Sequence, residues 1–144
     1  MYTRILVPTD GSEITAKAVK TAVALAKLCG AELHAIAVKE PFPYSAISEM
    51  QPVPPQEFYD AQERVAAGHA KTVANAAQAA GVRCETATVE ALHPWEAIVD
   101  YATEKQCDLI VMASHGRRGV QALLLGSETQ KVLTHGKLPV LVVR

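Results

Sequence analysis

Five short apolar runs alternate with four longer stretches of helical period, and this alternation restricts the fold more than any other feature of the chain. "RILVP" (Arg4 to Pro8) is a strand ended by the turn-forming "TDGSE". Glu13 to Cys29 then repeats small and apolar residues (Ala18, Val19, Ala22, Val23, Leu25, Ala26, Cys29) along one helical stripe, and Gly30 stops it. A second strand, Ala31 to Val38, leads into a Pro-rich excursion between Lys39 and Gln56. An Ala-rich helix from Phe58 to Ala80 ends at Gly81, and "VRCETATVE" alternates in strand fashion. Pro94 suits the first turn of a third helix with a buried side of Trp95, Ile98, Val99 and Ala102. "DLIVMA" (Asp108 to Ala113) is a fourth strand, Ser127 to His135 a fourth helix, and "PVLVV" (Pro139 to Val143) a fifth strand.

Strands separated by helices pair in parallel through right-handed crossovers, and a run such as "LIVM" suits a strand covered on both faces. The expected fold is an open, doubly wound α/β sheet with helices on both faces. Its 144 residues fit one domain, 1–144, with a core of its own. A net charge of -1 supplies no field to collect a polyanion, which argues against nucleic acid and acidic membranes as partners. The three cysteines lie far apart without a CxxC, so neither a disulfide framework nor a zinc knuckle is indicated. No uncharged run approaches the ~18 residues of a membrane span, and with a strand-like opening no leader segment is expected. A cytoplasmic, soluble protein is the expectation.

Ligands of such sheets bind beyond the carboxyl ends of the strands, where the strand order reverses. Attention therefore falls on Pro8 to Ser12, on Val38 onward, and on "MASHGRRGVQALLLGSETQKVL" (Met112 to Leu133). Glycines let backbone N–H groups crowd a ligand, and a helix N-terminus offers unpaired donors with a partial positive charge. Both suit an anion. Each charge–dipole contribution is worth only ~0.3 to 1 kcal/mol at an exposed site, so several donors must converge before a phosphate is held. The alternative is structural: Gly116 and Gly119 as turn residues, and Gly126 preceding Ser127 as an N-cap. Neither GxxxxGK[ST] nor GxGxxG is present, which disfavours P-loop kinases and dinucleotide dehydrogenases.

These same segments, "ILVPTDGSE", "DLIVMASHGRRG...LLLGSETQKVL" and "PVLVVR", resemble the universal stress protein family, of the nucleotide-binding type, over essentially the whole chain. The resemblance implies a five-stranded parallel sheet in the order 3-2-1-4-5, Rossmann-like, and a homodimer formed through the C-terminal strand. It also implies ATP, with Mg2+ bound through the phosphates. Nucleotide-binding relatives share a pattern G-x2-G-x9-G-[ST]. Here Ala113 stands at its first position, Gly116 at the second, and Gly126 with Ser127 close it. A second departure is Ala91, where relatives often carry Gly.

By this likeness Asp10 lies near the ribose and adenine, Val38 meets the adenine through its backbone, and Gly116, Gly126, Ser127 and Glu128 line the phosphates. The candidate binding set is completed by Pro8, Thr9, Met112, Ala113, His115, Arg117 and Thr129. Asp10 with Glu13 also reads as a capping box for the first helix, and Ser127 as an N-cap or a phosphate acceptor. No catalytic constellation assembles, so at most slow ATP hydrolysis or autophosphorylation is expected. The five histidines never pair at i,i+4, and no side-chain metal site is expected. The alternative function is a dimeric scaffold or partner-binding stress protein with a vestigial pocket.

Overall fold

A computed structural model describes residues 1–41, 56–116 and 125–144. Most of the Pro-rich excursion, together with Arg117, Arg118 and Gly119, lies outside the described residues. The elements run β1 (Arg4–Pro8), α1 (Glu13–Cys29), β2 (Glu32–Lys39), α2 (Gln56–Ala79), β3 (Cys84–Glu90), α3 (Pro94–Glu104), β4 (Leu109–Ala113), α4 (Ser127–His135) and β5 (Val140–Val143). All strand pairs are parallel, in the order β3-β2-β1-β4-β5. The order reverses between β1 and β4, where Ile5 pairs with Leu109.

Side chains on successive strand residues point to opposite faces, and this divides the core in two. Ile5, Val7, Leu33, Ala35, Val111 and Ala113 pack under α1 and α2. Leu6, Ile36, Ile110 and Met112 pack against Ile98, Tyr101 and Ala102 of α3 and Val132 of α4. Helices therefore cover both faces, and β4 is buried along its whole length.

Two strands start later than their apolar patterns suggest, for one reason. The N–H of Ala31 closes α1 by donating to Ala26 O at 2.8 Å, over Gly30 at φ 67°. The N–H of Val82 does the same for α2 by donating to Ala77 O at 2.8 Å. Each backbone group serves the helix stop first and is lost to the strand ladder. The buried residues of α3 are Ala97, Ile98, Tyr101 and Ala102, and Trp95 and Val99 are partly buried against the same core. Trp95 is half-buried and stacks on His135 with ring centroids 4.6 Å apart.

At the amino ends of the central strands, Asp108 ties β1 to β4. Its Oδ2 accepts from Thr3 N and Thr3 Oγ1, both at 2.9 Å, and its Oδ1 accepts from Arg4 N at 3.0 Å. Partial burial alone would raise its pKa, but the hydrogen bonds from Thr3 and Arg4 outweigh this and the net shift is downward from 3.8. A carboxylate depressed in the folded state contributes stability that is complete above its unfolded pKa and is lost as pH falls through the folded one. Urea titrations at descending pH should therefore show wild type losing this contribution below about pH 4. Asp108→Asn should start about 1 kcal/mol less stable at pH 7 and show a flatter decline. Parallel pH profiles for the two proteins would remove Asp108 from that role.

Candidate functional site

The carboxyl ends of β1, β2 and β4 open into one cleft of about 830 Å³, within the ~300–1,000 Å³ typical of small-molecule sites. Pro8, Thr9, Asp10, Val38, Met112, Ala113, His115, Gly116, Gly126, Ser127, Glu128 and Thr129 all line it. The remaining sequence candidate, Arg117, lies outside the described residues.

The turn after β1 holds Asp10 in place. Its Oδ1 accepts from Ser12 N and from Thr15 Oγ1, both at 2.9 Å. Ser12, not Asp10, is the N-cap of α1, with Ser12 Oγ accepting from Thr15 N at 3.4 Å. The capping box of Asp10 and Glu13 is thus corrected: Asp10 buttresses the true cap from one turn outside the helix. Its Oδ2 faces Gly116, where an added Cβ would stand 2.9 Å from that oxygen. Gly116 therefore keeps the wall between Asp10 and the end of β4 thin.

The return of the chain at Gly126 is tighter. Gly126 N donates to Ser114 O at 2.6 Å, and a Cβ on Gly126 would lie 2.9 Å from both Ser114 O and His115 Cα. Its φ of -59° is open to any residue, so close approach rather than backbone conformation demands glycine here. Gly126 is also the N-cap of α4, without a side-chain cap bond, and Ser127 is the first helical residue, exposed to solvent. The expectation of Ser127 as N-cap is corrected by one position. Thr129 Oγ1 donates to Ala113 O at 2.9 Å, pinning the first turn of α4 to the last residue of β4. The N–H groups at the start of α4 precede the first intrahelical bond, from Gln130 N to Gly126 O at 2.9 Å. They bring a partial positive charge to this end of the cleft.

Ala113 replaces a glycine of the family pattern without backbone strain. Among the described residues the non-glycine with positive φ is Gln106, while Ala113 is a strand residue whose side chain joins the core beneath α1. Glu128 has a task that its position in sequence does not reveal. Its Oε2 accepts from Trp95 N at 2.8 Å, satisfying a first-turn donor of α3. His115 Nδ1 lies 3.2 Å from Ser114 Oγ.

One wall was not anticipated. Gln62, Val65, Ala66 and His69 of α2 line the cleft at i, i+3, i+4 and i+7, the period of a single helix face. The signal was present in the sequence, but nothing local told which strand ends that face would overlook. His69 rests against Gly11, whose missing Cβ leaves room for the imidazole. On the rim, Lys39 Nζ is paired with Glu63 Oε2 at 2.6 Å. That bond, with a second from Thr88 Oγ1 at 3.0 Å, holds Glu63 below the usual carboxylate range.

Fold and cleft define a doubly wound, Rossmann-like α/β domain with a ligand-sized opening at its topological switch point. The chain belongs to the universal stress protein family, whose sequence model matches residues 1–144. Universal stress protein YxiE of Bacillus subtilis is 34% identical, with both chains covered completely. The solved structure of MJ0577, from Methanocaldococcus jannaschii, superposes with a TM-score of 0.84 at 29% identity, covering 99% of this chain and 96% of that one. A universal stress protein solved in complex with cAMP superposes at 0.74 with 26% identity, covering 99% of this chain and 97% of the other. Among the described residues no helix is long and apolar enough to cross a membrane.

Proposed function

We propose that the cleft binds ATP and that the protein acts, through one domain spanning 1–144, as a nucleotide-responsive homodimer of the cytoplasm. The observation that carries this reading is the placement of Gly126. With no side chain in the way, the first turn of α4 lies directly on the end of β4. Its unpaired N–H groups meet the cleft beside Gly116, where a triphosphate would find converging donors. Asp10 and Val38, farther along the strand ends, take the ribose and adenine. Mg2+ would enter on the phosphates, which supply its ligands. The cAMP complex of a relative at 26% identity supports an adenine nucleotide as the class of ligand.

For the homodimer, β5 lies at one edge of the sheet, and its four residues "VLVV" carry no charge. Leu141 is 39% exposed, so pairing with a second copy would cover both apolar surface and unpaired backbone groups. Light scattering at micromolar concentration should return twice the chain mass. A monomeric mass would remove the dimer from the proposal.

The nucleotide is tested by thermal shift. ATP at ~100 times its dissociation constant should stabilise the fold by ~2.7 kcal/mol, a rise of several degrees for a chain of this size. No shift with any adenine nucleotide would overturn this reading in favour of a scaffold with a vestigial pocket.

A further inference from the structure

Opposite the cleft, at the amino ends of β2 and β3, three metal-binding side chains meet on the face covered by α3. Glu32 and His34 stand two apart on β2, and Glu85 is the register partner of His34 on β3. One donor atom from each lies within 4.8 Å of the other two. His34 is 2% exposed, and its Nε2 is buried without a hydrogen-bond partner among the described residues. An orphaned ring nitrogen in such surroundings is costly unless it meets a ligand.

We propose that Glu32, His34 and Glu85 form a binding site for a divalent transition metal of the Zn2+ kind, separate from the nucleotide cleft. The separation of Glu32 Oε1 and His34 Nε2 is 3.2 Å, yet the two atoms are not aligned as a hydrogen bond. Zinc bonds of ~2.0–2.2 Å give a coordination polyhedron edges of roughly 3–3.6 Å, so this is the spacing of two ligands on one ion. Glu85 is half-exposed, and its Oε2 lies 3.5 Å from His34 Nδ1. Turned inward from solvent, this side chain would supply the third corner and leave the remaining positions to water.

The surroundings suit the ion. His34 Nδ1 lies 3.1 Å from the Tyr101 hydroxyl, so metal on Nε2 places the remaining ring proton on Nδ1, where it donates to that oxygen. Arg4 and Lys105 stand near His34 but form no ion pair with either carboxylate among the described residues. Arg83 reaches Glu32 only at 4.0 Å from a side chain that is 80% exposed, and Arg4 Nη1 is committed to Lys105 O at 3.0 Å. A divalent ion would pair with both carboxylates directly. The mixed set of imidazole and carboxylate oxygen favours Zn2+ over Mg2+ or Ca2+. Cys84 takes no part, because strand alternation turns its side chain to the opposite face of β3, against the core under α1 and α2.

The test is calorimetric titration of chelator-stripped, nucleotide-free protein with Zn2+ alone. One ion per chain should bind at micromolar concentration or tighter, and Glu32→Gln and Glu85→Gln should each weaken it by about ten-fold or more. His34→Gln should abolish binding, and Cys84→Ser should leave it unchanged. Because His34 is buried, Glu85→Gln at the half-exposed position keeps the test decisive even if His34→Gln does not fold. Absence of Zn2+ uptake, affinity indifferent to both glutamates, or loss in Cys84→Ser would each overturn the site.

Discussion

Gly126→Val should eliminate the thermal stabilisation given by ATP. The obstacle is main chain. A Cβ at this position meets Ser114 O and His115 Cα at 2.9 Å, and neither atom can rotate aside as a flexible side chain would. The start of α4 must therefore move off β4, stretching the 2.6 Å bond from Gly126 N to Ser114 O and displacing the donors that face the cleft. Such overpacking costs ~1–3 kcal/mol in its own right, so lost binding must be told apart from lost stability. Ser127→Glu does this. Ser127 is exposed at the first helical position, where a carboxylate agrees with the helix dipole and should not weaken the fold. It should nonetheless repel a triphosphate. The expected pair of results is a less stable Gly126→Val and a normally stable Ser127→Glu, both without the ATP-dependent rise of wild type. A wild-type rise in both would mean that the nucleotide sits elsewhere.

Ile110→Ala should produce the largest loss of stability among single core truncations of this kind. Ile110 is 1% exposed on β4, which lies between β1 and β5. It packs in the core formed with Leu6, Ile36, Ile98 and Val132 under α3 and α4. Because β4 is buried from end to end, backbone cannot close over the space left behind. Removing a buried Ile side chain in such a setting costs ~2–5 kcal/mol through lost transfer energy and the cavity created. Urea unfolding should show a lower midpoint with an unchanged slope, which marks a stability change rather than a changed unfolded state. Ile110→Val, one methylene shorter, should lose ~0.5–1.5 kcal/mol. A cost for Ile110→Ala below that range would mean the site collapses, contrary to the packing described.

Several boundaries were legible because local chemistry sets them. Ser12 and Gly30 bracket α1, and Gly81 follows α2 closely, so punctuation residues marked most helix ends. Errors of one or two residues arose where a backbone group serves two elements, as at Ala31 and Val82. The cap of α4 was misplaced because Ser127 has the composition of a cap, while the close contact at Gly126 depends on Ser114, twelve residues earlier. Asp10 has the composition of a cap, yet it holds the cap residue instead.

The cleft residues on the strand ends were readable once parallel pairing was inferred, since every crossover returns to the same edge. The α2 wall with His69 was not, because the orientation of a helix over a sheet is a tertiary fact. The cap that Glu128 provides to α3 spans 33 positions and leaves no local trace. Glu32, His34 and Glu85 escaped for a related reason. Ligand pairs at i,i+4 on a helix are visible along the sequence, whereas these residues meet through strand alternation and cross-strand register.

The bond from Thr129 Oγ1 to Ala113 O and that from Gly126 N to Ser114 O fasten the first turn of α4 at two points. Its amides are therefore aimed before any solute arrives, and their entropy was surrendered when the chain folded. Recognition at this corner resembles a fixed socket, and a guest settles there without waiting for the socket to take shape. Rapid-mixing experiments on the intact protein should accordingly resolve one concentration-dependent phase, with no slower rearrangement behind it.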